Sequence, residues 1–144
     1  MYISQIVLGK FLKEKKHNAG EWTEARYISF IKSALRSASQ RWPPRYRALH
    51  AAFVGKRLNP ASGRIAGFYK CNSCLQEYVV KEVEVNHIVP VVPITGFDSW
   101  DNIINRLFCE QEGLEVLCRP CHKLLTKREN DKRKTYKSRN IKKI

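Results

Sequence analysis

No stretch of the 144-residue chain approaches the roughly 18 to 20 consecutive apolar residues needed to span a bilayer, so a membrane partner is not expected. The apolar start, Ile3, Ile6, Val7, Leu8, Phe11 and Leu12, is interrupted by Gln5, Gly9 and Lys10. It also lacks a basic leading region and a small-residue cleavage site, which argues against a secretory signal and for a cytoplasmic location. Disulfides are therefore not expected, and the five cysteines need another explanation. Acidic residues are scarce, 13 against 27 Lys and Arg, leaving a formal charge of +14. With 43% hydrophobic and 10% aromatic residues this is not a disordered polycation. Such an excess of positive charge points to a polyanionic partner, nucleic acid first, because clustered cations gain affinity by releasing counterions from phosphate. The length suits one domain with extensions. Internal repeats are absent, as are low-complexity runs before the basic end.

The charge is unevenly placed. Residues 1–67 carry a net +10, residues 68–126 a net −3, and residues 127–144 a net +7. In the first segment, Tyr27, Phe30, Ile31, Ala34, Leu35 and Ala38 recur at helical spacing within a helix expected over Trp22 to Arg41, with Thr23 as its N-cap. Pro43 and Pro44 stop it and can open a second, basic helix from Arg45 to about Val54, taking in Arg45 and Arg47 and reaching towards Lys56 and Arg57. Asn59 to Gly63 reads as a linker. From Phe68 to Val92 the residues turn β-branched and aromatic, which predicts two or three short strands. Ser99 to Cys109 predicts a helix, Leu114 to Leu117 a short apolar segment, and Pro120 the start of a last helix that runs into the basic tail. The fold class expected is α+β.

Four cysteines form two pairs, Cys71-x-x-Cys74 and Cys118-x-x-Cys121, with 43 residues between them. Either pair alone could be redox-active or incidental. Two pairs in one short reducing-compartment chain are most simply a tetrahedral structural zinc site. Cys109, beside Leu107 and Phe108, reads as a buried core cysteine. His87 stands near the end of a predicted strand and His122 directly follows the fourth cysteine. A metal that clamps the two pairs together would bring both histidines towards one cleft. His17 and His50 have no such partners in the sequence and receive no role.

The order Cys71-x-x-Cys74, Val85-Asn86-His87-Ile88-Val89-Pro90, then Gly113-Leu114-Glu115-Val116-Leu117-Cys118-Arg119-Pro120-Cys121-His122 and Thr126 resembles the HNH endonuclease family in its zinc-bearing phage and homing form. The resemblance covers residues 68–129. It implies a ββα-metal fold over that span, with residues 1–67 as a basic helical region before it and 130–144 as a basic tail. It implies that His87 is the general base that activates water, and that His122, with the residue at position 86, binds a catalytic Mg²⁺ or another divalent ion such as Mn²⁺. The implied products are a 5′-phosphate and a 3′-hydroxyl, and the implied setting is the host cytoplasm if a phage encodes the chain.

Two positions depart from the pattern. Asn86 stands where the family usually has an aspartate, so the site loses one negative charge. The middle asparagine of the motif falls, by counting, on Gly113; Asn102 and Asn105 lie upstream in a predicted helix. The reading is therefore a DNA endonuclease acting on double-stranded DNA as a monomer or weak dimer. The alternatives are a zinc-stabilised DNA-binding protein with weak or no catalysis and a branched-DNA resolvase. Arg41, Arg45, Arg47, Lys56 and Arg57 on one arm are the candidate DNA contacts, with Lys127, Arg128, Lys132, Arg133 and Lys134 on the other.

Overall fold

The computed structural model describes residues 13–142. The apolar start up to residue 12, on which the argument about a signal segment rests, lies outside the described residues, as do residues 143–144 of the tail. Among the described residues the fold is mixed α+β, with four α-helices and three small antiparallel sheets. No helix among the described residues is long and apolar enough to cross a membrane.

The first sheet pairs β1 (Lys15–His17) with β2 (Trp22–Thr23). Helix α1 (Glu24–Ser39) follows at once, capped as the sequence predicts: the Thr23 hydroxyl accepts the backbone N–H of Arg26 at 3.2 Å, and Glu24 lies in the first turn, where the positive end of the helix dipole favours it. Ile28 is its buried apolar residue, whereas Phe30, expected on the apolar face, is exposed. Helix α2 (Pro43–Ala51) opens on the two prolines, where an imino nitrogen forfeits no hydrogen bond. It ends before the basic residues expected to continue it. Lys56 and Arg57 lie instead on β3 (Phe53–Asn59), which pairs with β4 (Arg64–Lys70). Asn59 to Gly63 is accordingly the turn of a hairpin and not a linker, with Gly63 at φ +68° where L-residues are strained. The basic first arm is thus part helix and part sheet, and β4 runs without a break across the expected boundary at residue 67.

Strand β5 (Glu77–Val79) completes the order β3-β4-β5, and the third sheet is the ribbon of β6 (Val83–His87) and β7 (Leu114–Cys118), in register from Val83 opposite Cys118 to His87 opposite Leu114. Between the two strands of the ribbon lies α3 (Trp100–Leu107). Its N-cap Ser99 accepts the Asn102 N–H, and Arg106 clamps the loop before it, bonding Asp98 at 2.6 Å and the Val91 carbonyl at 2.8 Å. That guanidinium holds the Asp98 carboxyl down to about 2. Helix α4 (Arg119–Ile141) absorbs the final helix and the tail to residue 141, crossing the boundary expected at 129. It has no fully buried residue. Arg133 fastens its distal half by donating to the Val92 carbonyl at 2.9 Å.

Two small cores result. Ile103 and Leu107 of α3 pack with Val91, and Leu35 of α1 joins them. Trp42 reinforces this contact, donating its indole N–H to the Cys109 carbonyl at 2.7 Å while its ring meets Phe108 edge-on. Cys71, Leu117 and Cys118 form the second core, with Tyr78, Cys121 and Leu125 against it. The N-terminal helices therefore share a core with α3.

Candidate metal centre and histidine cleft

Cys71 directly follows β4, and the turn it opens is closed by backbone bonds from Cys71 N to the Gln76 carbonyl at 2.9 Å and from Leu75 N to the Cys71 carbonyl at 3.0 Å. Leu75 takes φ +63° to complete that turn. Cys118 ends β7 and Cys121 falls in the first turn of α4, so strand and helix present their sulfurs side by side. The Asn72 N–H donates to the Val116 carbonyl at 2.8 Å and joins the two halves. All four Sγ atoms lie within 4.8 Å of one another, with Cys74 and Cys118 at 3.9 Å. A tetrahedral ion with bonds of about 2.3 Å to sulfur sets its ligands about 3.8 Å apart, so the cluster could hold a metal ion such as zinc. The thiols are unequal: the Gln76 N–H and the Tyr78 hydroxyl hold Cys74 down to about 6, whereas the neighbouring Cys118 pushes Cys121 up to about 12. Protons are shared unevenly in such a group, and a bound cation would displace them.

Beside the ribbon lies a cavity of about 530 Å³. Glu84, Asn86 and His87 of β6 reach it together with His122 of α4. Arg36, Ser39 and Gln40 at the end of α1, with Arg45 of α2, form the opposing wall. The His87 Nε2 lies 2.9 Å from the Leu107 carbonyl at the end of α3. A carbonyl only accepts, so Nε2 carries the proton and Nδ1 of the neutral ring keeps its lone pair. Burial lowers the His87 pKa, and the Arg45 and Arg36 charges add to that, against the opposing effect of the Leu107 carbonyl. His122 Nδ1 meets the Glu84 carboxylate at 2.9 Å. Asn86 donates its amide N–H to Glu115 directly across the ribbon at 3.2 Å, which leaves its Oδ1 as the unused acceptor. Glu115 also accepts the Asn72 amide at 2.8 Å.

The structure thus brings together the three residues singled out at the histidine motif. Glu84 was missed, although strand alternation places it on the same face as Asn86. Gly113 explains its own identity: a Cβ there would lie 2.8 Å from the Cys109 Sγ, too close for any side chain without movement. An asparagine there would require the Cys109 side chain to shift. Asn102 does not substitute, since its amide is spent on Asp98 at the start of α3, and Asn105 is exposed on the same helix. Backbone atoms order this loop, through Ile88 N to the Gly113 carbonyl at 3.0 Å and Gly113 N to the Glu110 carbonyl at 3.0 Å. Cys109, expected to be buried, is half-buried, and its thiol pKa is raised by desolvation.

The candidate DNA contacts separate into two groups. Arg41, Arg47, Lys56, Lys127, Arg128, Lys132 and Lys134 are exposed. Arg45, Arg57 and Arg133 are engaged with the protein: Arg45 is half-buried and bonds Gln40, Arg57 pairs with Glu77 and covers the Phe68 ring, and Arg133 holds Val92. His17 is structural, bonded to Glu24 and stacked on Tyr27. No protein-family model, no curated protein and no solved structure matches this chain.

Proposed function

We propose that the chain is a divalent-metal-dependent DNA endonuclease of the HNH type, stabilised by a zinc ion on Cys71, Cys74, Cys118 and Cys121. The observation that carries this reading is the cavity shared by Glu84, Asn86, His87 and His122, a set that a purely structural zinc module does not need. The residues fit a hard catalytic ion such as Mg²⁺ or Mn²⁺. The Asn86 Oδ1 and a ring nitrogen of His122 would hold it, and the Glu84 carboxylate beside His122 returns the negative charge that Asn86 lacks. When bound, the ion neutralises charge that develops on the phosphate and on the departing 3′-oxygen. Everything else falls to the chain's own side chains. His87, its ring fixed by Leu107, accepts a proton from water at Nδ1. Arg36 and Arg45 face the same cavity, and the half-buried Arg45 would hold the scissile phosphate against the base. Hydrolysis would leave a 5′-phosphate and a 3′-hydroxyl.

One observation favours a second reading, a DNA-binding protein that has lost catalysis: Asn86 is neutral where the family pattern has a carboxylate, and the nearby Glu84 carboxylate is already paired with His122. Plasmid cleavage separates the two. Under the nuclease reading the wild-type protein cuts in Mg²⁺ or Mn²⁺ and His87→Ala loses about 10² to 10⁴ in rate. Equal cleavage by both proteins would remove His87 from the mechanism, and no cleavage by the wild type with either ion would favour the binding reading.

A further inference from the structure

The β3–β4 hairpin carries charge of one sign only. From Phe53 to Lys70 it holds Lys56, Arg57, Arg64 and Lys70 and no acidic residue. Its two faces are used differently. One face turns inward: Arg57 lies over the Phe68 ring, pairs with Glu77 on β5, and Phe68 is buried. The other face carries Lys56, Leu58 and Ile65. Leu58 and Ile65 are direct cross-strand partners, yet they are 57% and 67% exposed. Between Lys56 and Ile65 every residue but Asn59 is exposed, so this part of the ribbon projects roughly 15 Å beyond its packed root, at about 3.3 Å per residue. The root itself is firm, with Lys70 N bonded to the Ala52 carbonyl at 2.9 Å and Cys71 of the metal cluster next in sequence. The side chains of Lys56 and Arg64 have no partner among the described residues.

The register sets Lys56 on the face of Leu58 and Ile65 and Arg64, opposite Asn59, on the other face near the turn. An isolated two-stranded ribbon that exposes an apolar pair on one face and an unpaired cation on each strand gains little from its own contacts. Its charge suits a polyanion, and a two-stranded ribbon has the width that the major groove of B-DNA admits. A second copy of the chain is a poorer occupant. β3 is an edge strand, but the bulge at Gly55 and the row of cations along it oppose strand addition. We infer that the outer half of the β3–β4 hairpin enters the groove of duplex DNA, with Lys56 and Arg64 on the backbone and Leu58 and Ile65 against base edges such as thymine methyl groups. This inference rests on the nucleic-acid part of the proposed function and not on catalysis.

The test is binding of the full, zinc-loaded chain to a labelled 30-base-pair duplex in EDTA-free buffer with Ca²⁺, followed by fluorescence anisotropy across a salt series. Zinc content and circular dichroism of each variant confirm its fold. Replacing Lys56 and Arg64 together with alanine is expected to weaken binding about tenfold at moderate salt and to reduce the log–log salt slope by about two, one for each phosphate released. Leu58→Ser with Ile65→Ser is expected to leave the slope unchanged and to flatten the sequence preference found by selection from a randomised duplex pool. An unchanged slope in the Lys56/Arg64 variant overturns the inference, as does wild-type protein that binds no duplex. A wild-type dimer in sedimentation that dissociates in the Leu58/Ile65 variant also overturns it, by showing that another copy covers the face. Wild-type protein that cleaves nothing while the slope still falls by two would end the nuclease reading and leave the hairpin's role standing.

Discussion

The cysteine cluster and the histidine cleft are built on the same β6–β7 ribbon, with Cys118 at one end of it and His87 at the other, but they are held by different means. The cluster comes from one short turn whose backbone bonds aim Cys71 and Cys74 and from the junction of β7 with α4 that carries Cys118 and Cys121, and two of its cysteines are buried in a core. The cleft takes its residues from β6, α1, α2 and α4 and leans on a carbonyl from the end of α3. It is open and polar, and its parts meet only because the helices dock. A site whose ligands come in two local pairs needs a single long-range contact, between those pairs, to close. A site assembled from several elements depends on every one of those contacts.

The largest effect that would sharpen this contrast is loss of the metal. Chelation, or Cys118→Ser, is expected to unfold the region around Cys71, Leu117 and Cys118 and to abolish cleavage, because the binding energy of a structural zinc is folding energy. Circular dichroism with metal analysis checks it, and a fully folded, metal-free protein would show that the small core suffices alone.

A second effect concerns the cleft alone. His87 must be neutral to accept a proton, and burial, Arg45 and Arg36 all depress its pKa in the folded chain, with Glu84 and His122 the other ionisable groups on the same cavity. Under the proposed function the cleavage rate is therefore expected to be flat near pH 7 and to fall, towards tenfold per unit, only below 6.5. The sign for stability agrees: a depressed folded pKa contributes stability that is complete above the unfolded value and is lost as pH falls through the folded one. A rate that still climbs between pH 7 and 8 would mean that some other group limits the reaction.

The smallest expected effect tests how the cleft's loop is ordered. Gly113→Asn restores the residue type of the family pattern, yet it should destabilise the chain by about 1 to 3 kcal/mol, because its Cβ meets the Cys109 Sγ. Cys109→Ala in the same chain should recover much of that loss. Urea midpoints measure both, and a stabilised single variant would show that the loop relaxes freely.

The local features were legible in the sequence. Thr23 and Ser99 cap the helices they were placed to cap or precede, the prolines open α2 and α4, and the two cysteine pairs converge. The caps, the prolines and each cysteine pair depend on residues a few positions apart, and the convergence of the pairs follows from their shared chemistry as ligands. Long-range pairing was not legible. Asn59 to Gly63 has the composition of a linker and of a hairpin turn alike, and only the register of Phe53–Asn59 against Arg64–Lys70 distinguishes them. The same limit hid Glu84, whose meaning depends on where α4 places His122, and hid the entry of Arg36 and Arg45 into the cleft. Part of the charge of the first arm, on Arg36 and Arg45, forms the cleft's wall.

The Glu115 carboxylate joins the two regions. One of its oxygens takes the amide of Asn72, which stands between Cys71 and Cys74, and the other takes the amide of Asn86 in the cleft. Under the proposed reading, a single side chain thereby orients a ligand of one ion while it is itself oriented by the loop that carries the other. The two ions are then thermodynamically linked: whatever zinc does to the affinity of the cleft for its ion, that ion does in equal measure to the affinity for zinc.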